Sequence, residues 1–199
     1  MTIKIRISQV KRRRYKLKSS LKPQTALAPV PVVMVSCGTM ENANITTIAW
    51  TGIINSEPPL VYVSIRKTRK SYEIIKEMGE FVINLPDESL VWETDFCGTK
   101  SGKTVDKFKE TKLEKEKAKL VVAPLIKNCP INLECKLKEI KPLGSHDMFI
   151  GEVINVNVDE KYKKENGTID YGNISLLTYM GQEYFISNKK VADRGICLK

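Results

Sequence analysis

Residues 61–86 read VYVSIRKTRKSYEIIKEMGEFVINLP, and the fold turns on how this stretch is parsed. Val61-Tyr62-Val63-Ser64-Ile65 is β-branched and alternating, which predicts a strand. Four cations then fall within five positions: Arg66, Lys67, Arg69 and Lys70. After Ser71, the apolar residues Tyr72, Ile75 and Met78 recur at helical spacing as far as Gly79, a natural C-cap. Phe81-Val82-Ile83 resumes strand. A strand thus delivers a basic loop and a hydroxyl to a helix start, where unpaired N–H groups and the positive dipole end favour an anion. A solvated charge run is the alternative, but cations at a helix N-terminus oppose the dipole. An anion site, suited to a phosphate, is the better reading.

Outward from this stretch the chain is β-rich. Pro23 to Pro31 leads into a first strand at Val32–Ser36. Ile45–Ile54 is apolar and broken by the turn Asn55-Ser56-Glu57-Pro58-Pro59. A loop-and-helix excursion occupies Asp87–Pro124, with Thr111–Leu120 expected as an exposed helical face of Lys and Glu. From Ile131 the alternation is clean: Ile131, Leu133, Cys135 and Leu137 against Asn132, Glu134, Lys136 and Lys138. A partner strand runs over Phe149–Val158, and Ile174–Tyr179 is expected as the last strand, followed by a short polar tail. About seven strands without βαβ alternation predict a mainly β fold with helical excursions, an antiparallel barrel or sandwich. Trp50 and Trp92 fall in apolar segments and are expected in the core, although an aromatic at a barrel mouth can stack on a planar ligand.

The chain has 199 residues, enough for one domain with a substantial core, and a formal net charge of +10. That charge is concentrated. Residues 1–22 hold nine cations and no acid, leaving 24 Lys+Arg against 23 Asp+Glu, a net +1, for the rest. We therefore read residues 1–22 as a flexible basic arm and residues 23–199 as the domain. The near-neutral body argues against a nucleic-acid partner. No apolar h-region follows the arm, and no run of about 18 apolar residues predicts a membrane span. The five cysteines are odd in number and form no C-x-x-C pair, which argues against a zinc site or disulfide framework and for a reducing, cytoplasmic setting.

Acid–base chemistry is sparsely supplied. The single histidine, His146, sits in a Gly-Ser-His-Asp turn, and there is no G-x-S-x-G elbow. A Cys97–His146 nucleophilic pair rests only on two isolated residues. Cys97–Thr104, CGTKSGKT, approaches a Walker A loop, but Gly98 and Gly102 are separated by three residues where the motif needs four. A nucleotide triphosphatase is rejected. Lys103 and its glycines still suit close approach to an anion. No metal site is predicted. A phosphate site, a β-barrel, and small hydroxyl and amide residues at Asn44–Thr47 suit a planar, phosphate-bearing cofactor that brings its own chemistry.

Several blocks in order resemble the flavin reductase-like family, and within it the flavoredoxin-type flavoproteins. They are Asn44-Ile45-Thr46-Thr47-Ile48-Ala49-Trp50, Ser56-Glu57-Pro58-Pro59-Leu60, Ser64-Ile65-Arg66 with Ser71-Tyr72, and Gly79–Leu85. Further blocks are Cys97-Gly98, Ser101-Gly102-Lys103, Val105-Asp106-Lys107-Phe108 and Gly144-Ser145-His146-Asp147 with Phe149–Val153. The resemblance covers residues 23–185. It implies an FMN-binding split β-barrel working as a homodimer, with Asn44, Ile45, Thr46 and Thr47 along the ring and ribityl chain. Ser64, Arg66, Arg69 and Ser71 would hold the phosphate. Cys97 and Lys103 would lie on a loop near the flavin, and His146 would contact reductant or acceptor. The short basic cluster suits a terminal phosphate, hence FMN over FAD. Neither the basic arm nor the ending ISNKKVADRGICLK matches the family pattern.

Three functions follow as expectations. The first is an FMN-dependent oxidoreductase taking electrons from NAD(P)H or a protein donor to a flavin, ferric or protein acceptor. The second is a flavoredoxin-like carrier that holds FMN without its own NAD(P)H turnover, and the third is an interaction protein acting through its basic arm. With no G-x-G-x-x-G, a nicotinamide would dock over the flavin and not in a Rossmann site.

Overall fold

A computed structural model describes residues 18–198. Most of the expected basic arm, residues 1–17, lies outside the described residues, and residues 18–22 are exposed and without regular structure. The strand–loop–helix–strand reading of residues 61–86 holds. Strand β5 (Pro59–Ile65) is followed by helix α1 (Lys70–Met78) and strand β6 (Glu80–Leu85). Gly79 ends α1 at φ +69°, and its N–H donates to Ile75 O. Only glycine adopts that left-handed geometry without a Cβ penalty.

Before β5 come β1 (Val30–Pro31), β2 (Val33–Cys37), β3 (Asn44–Ile48) and β4 (Thr51–Ser56). After β6 come α2 (Val91–Thr99), α3 (Lys107–Thr111), the short strands β7 (Lys115–Glu116) and β8 (Leu125–Ile126), and the long strands β9 (Ile131–Pro142) and β10 (Asp147–Val158). Seven strands form one antiparallel sheet in the order β3-β2-β6-β9-β10-β5-β4. It curls around a core of Val33, Val35, Val63, Ile65, Phe81 and Phe149, with Tyr72 and Ile75 of α1 packed into it. Alternate residues of β5 point inward, so Val61, Val63 and Ile65 are buried while Ser64 faces outward, half-exposed.

Two expectations about the outer layer are corrected. Residues 112–120 are not an exposed helix. Helix α3 ends at Thr111, and the chain continues extended, with Leu113 and Ala118 buried. Backbone N–H groups that a helix would pair internally go instead to carboxylates on the sheet. Glu134 accepts from Lys119 N at 3.1 Å and Leu120 N at 2.6 Å, while Glu80 accepts from Val122 and Ala123 N–H and pairs with Lys136. The covering segment also explains why Asn132 and Glu134, expected on a polar face, are buried. The second correction concerns the C-terminal region. Strand β11 (Leu177–Met180) is followed by β12 (Glu183–Ile186), joined through Gly181 and Gln182 at positive φ, the geometry of a tight hairpin turn. With β1 these make a second, three-stranded sheet.

Trp50 and Trp92 are also not core residues, being 44% and 58% exposed. Trp92 stacks on Phe96 along α2, and Trp50 sits at a cleft mouth.

Candidate functional site

The basic loop between β5 and α1 opens into a cleft of about 330 Å³. Its lining brings together Thr47, Ser64, Arg66, Arg69 and His146, which the sequence singled out, with Ile48, Ala49, Trp50 and Tyr179. A smaller space of about 220 Å³ adjoins it, sharing Thr47, Ala49 and Tyr179. A larger concavity of about 820 Å³ shares none of these residues. Its Lys127 and Lys163 are already paired with Glu114 and Glu160, so it offers little unsatisfied charge.

Each wall of the cleft is fixed from behind. Asn44, 4% exposed, donates through Nδ2 to Ser71 Oγ at 2.6 Å, tying β3 to the start of α1. Thr47 Oγ1 donates to Thr94 O at 2.5 Å, tying β3 to α2. Arg69 donates to Gly98 O at 2.8 Å. It stands at the N-cap position of α1 and makes no side-chain capping bond. Among the described residues, neither Arg66 nor Arg69 has a carboxylate partner. Two uncompensated guanidiniums beside a helix start and the Ser64 hydroxyl fit a phosphate group.

On the opposite side, Tyr72 donates its hydroxyl to Asp147 Oδ2 at 2.6 Å, with Lys67 Nζ at 3.5 Å. The Tyr72 bond, helped by the Leu143 N–H and Lys67, holds the Asp147 carboxyl below its usual range. The same bond pushes the Tyr72 phenol up to about 12. This lock fixes the turn that carries His146 beside the basic loop. Partial burial, with Arg66 and Arg69 nearby, lowers the His146 pKa, so the imidazole is neutral at pH 7. Its ring lies 4.6 Å from that of Trp50 at 48°, and Nδ1 is 3.0 Å from Ser145 Oγ. A planar, apolar-and-polar mouth of this kind suits a flat heteroaromatic ligand.

The remaining predicted residues stand elsewhere. Ile45 is fully buried against Met34, Cys97 and Phe108. The side chain of Thr46 is 1% exposed, and its hydroxyl has no partner among the described residues. Ser71 is fully buried, so its hydroxyl meets Asn44 and not the cleft. Cys97 is fully buried too, and burial pushes its thiol up to about 12, which leaves it inert as a nucleophile. Lys103 lines a separate space of about 310 Å³ together with Asn44, Lys70 and Gly102. There a Cβ on Gly102 would collide with the Asn44 amide oxygen, so only glycine lets this loop approach so closely.

Sequence reasoning did not name Trp50, Tyr179 or Lys107 as site residues, although Trp50 and Lys107 fall within the blocks that carry the resemblance. Trp50 follows Thr47 by three positions, a signal that the apolar context obscured. Tyr179 comes from the small sheet, which no local pattern links to the basic loop. Lys107, in a short polar helix, reads as solvent-facing, yet it is 3% exposed.

Comparison with known proteins agrees with this fold. A family model described as "Flavin reductase like domain" matches residues 26–186. The flavoredoxin of Desulfovibrio vulgaris (Miyazaki F) superposes with a TM-score of 0.85 at 31% identity, over 92% of this chain and 100% of that one. A flavoredoxin from Methanosarcina acetivorans gives a TM-score of 0.81 at 28% identity, over the same shares. An uncharacterised protein of Archaeoglobus fulgidus is 32% identical over 145 residues, covering 73% of this chain and 81% of its own length.

Proposed function

The chain belongs to the flavin reductase-like family, and from that premise we propose that it binds FMN in the cleft beside the basic loop and works as an oxidoreductase. The observation that carries this reading is the pair of guanidiniums, Arg66 and Arg69, free of carboxylate partners and facing one cleft with Ser64, Trp50 and His146. Arg66, Arg69 and Ser64 hold the terminal phosphate. Strand β3 from Asn44 to Thr47 lies along the ring and ribityl chain, with Ser71 steadying Asn44 from below. FMN, when bound, supplies hydride and electron transfer itself. The neutral His146 meets the reductant or acceptor at the mouth without adding charge, and Trp50 covers the ring edge against water. Cys97 contributes through its backbone only, and Lys103, lining a separate space with Asn44 and Lys70, stands apart from the cleft.

The donor is NAD(P)H or a reduced protein, and the acceptor a flavin, a ferric compound or a protein. The active unit is a homodimer in a cytoplasmic setting, which the five free thiols suit. Among the described residues no helix is long and apolar enough to cross a membrane. The visible spectrum of the purified protein, before and after anaerobic NADH or NADPH, tests the proposal. Oxidised-flavin bands that bleach with nicotinamide support the reductase. The likeness to two flavoredoxins favours a second reading, an electron carrier, and flavin bands that nicotinamide leaves untouched select it. A colourless protein that takes up no added FMN overturns both.

A further inference from the structure

Lys107 is the first residue of α3 and carries a charge that the fold does not balance. Asp106 caps this five-residue helix, its carboxylate accepting from Lys109 N at 3.2 Å, and the resulting orientation turns Lys107 and Phe108 inward. The Lys107 ammonium donates to Ile45 O at 2.7 Å and to Cys97 O at 2.6 Å. Ile45 lies two residues before the cleft-lining Thr47. Cys97 precedes Gly98, whose carbonyl accepts from Arg69. One ammonium therefore ties together the two walls behind the cleft.

No ion pair among the described residues involves Lys107. The titratable groups that face it are Cys97 on α2, Cys37 on β2, and Arg69 and Lys70 at the start of α1. None is an anion at neutral pH, because burial pushes the thiols of Cys37 and Cys97 up to about 11 and about 12. Burial, joined by the Arg69 and Lys70 cations, outweighs the opposing influence of Cys97 and Cys37 and pulls the Lys107 ammonium down to about 8. It remains charged at pH 7. A buried cation without a counter-charge is costly to folding, and a neutral donor could bridge two carbonyls without that cost. The missing negative charge is one that a bound, reduced cofactor would bring.

Resting on the flavin reading above, we propose that Lys107 is a positioning residue for the cofactor. Bonded to the Ile45 and Cys97 carbonyls it fixes the cleft wall, and its unpaired charge favours the reduced cofactor, which carries added negative charge, over the oxidised one. One unit charge acting through the protein interior, at an effective dielectric of about 20, is enough to change a binding constant about tenfold.

The test compares Lys107→Arg, Lys107→Gln and Lys107→Met with the unaltered chain, measuring the FMN dissociation constant and the midpoint potential. Lys107→Gln, which keeps a donor and loses the charge, should weaken binding of reduced FMN about tenfold relative to oxidised FMN. For a two-electron couple that lowers the potential by about 30 mV. Lys107→Arg should restore the potential, and Lys107→Met should also weaken binding of the oxidised form. A folded Lys107→Gln protein with the unaltered potential overturns the electrostatic role. Should the variants fail to fold, the unaltered holoprotein decides: its potential should steepen with pH from about 8 upward, and a profile without that break rejects the proposal. Failure of the unaltered chain to take up FMN at all would instead reject the underlying flavin reading.

Discussion

Arg66 and Arg69 act at the scale of single contacts, and their removal should be felt by the ligand more than by the fold. Arg66 is exposed, and Arg69 gives up one bond to Gly98 O when truncated. A charge-assisted hydrogen bond is worth about 1.5–3 kcal/mol. The double substitution Arg66→Ala, Arg69→Ala should therefore raise the FMN dissociation constant by at least about tenfold, with the thermal midpoint nearly unchanged. Fluorescence titration of FMN reads this directly, and an unaltered affinity would move the phosphate elsewhere. The sequence made these two residues legible because cations at a helix start work against the helix dipole and call for another purpose. Ser71 and Cys97 were legible only as neighbours. A motif places a residue near a site without saying whether its side chain or its backbone faces inward. The burial of Lys107 could not be read from its local pattern, since it depends on partners 62 and 10 positions away.

Elements that alternate cleanly, such as β5 and β9, or form a short apolar run, such as β6, could be read from pattern alone. The segment over residues 112–126 could not, because its structure is dictated from outside. Its Lys and Glu content favours helix, but acceptors on the sheet outcompete the internal ladder. Glu134, fully buried, accepts from Lys119 N, Leu120 N, Asn155 Nδ2 and Asn157 Nδ2. Truncation to Ala would leave those donors without a partner. We expect Glu134→Ala to lower unfolding stability by on the order of 3 kcal/mol or more, measured by urea denaturation. Amide exchange at Lys119 and Leu120 should accelerate well beyond that of the core strands. A loss below about 1 kcal/mol would mean that the segment is held by its apolar contacts instead.

For the whole molecule, acid should be the weak direction. Asp147 and Glu134 both sit below their ordinary values in the folded state. The Tyr72 hydroxyl does this for Asp147. Burial pulls Glu134 upward, but hydrogen bonds from Asn157, Asn155 and the Leu120 and Lys119 backbone outweigh it. A depressed carboxyl stabilises the fold fully above its unfolded value, about 4, and that contribution is lost as pH falls through the folded value. Urea midpoints should thus hold from pH 7 to about 5 and then fall, and Asp147→Asn should flatten the acid limb. Lys107 has the opposite consequence at the other end. Its folded value of about 8 lies below that of an unfolded lysine, so its unfavourable contribution fades as pH rises above 8. The barrel as a whole was legible because its strands carry either alternating faces or short apolar runs. The small sheet of β1, β11 and β12 was only partly so, since two of its three strands follow or precede turns without the usual Asn-Gly or Asp-Gly signal.

The two tryptophans stand in different surroundings, Trp50 beside His146 at the cleft mouth and Trp92 stacked on Phe96. Only the first would share its excited-state energy with an occupant of the cleft at contact range. The molecule thus carries its own optical gauge of occupancy. Intrinsic emission should dim as FMN is added and saturate with the binding curve, and in Trp50→Phe the remaining emission should dim far less. That would let occupancy be followed in real time without any label.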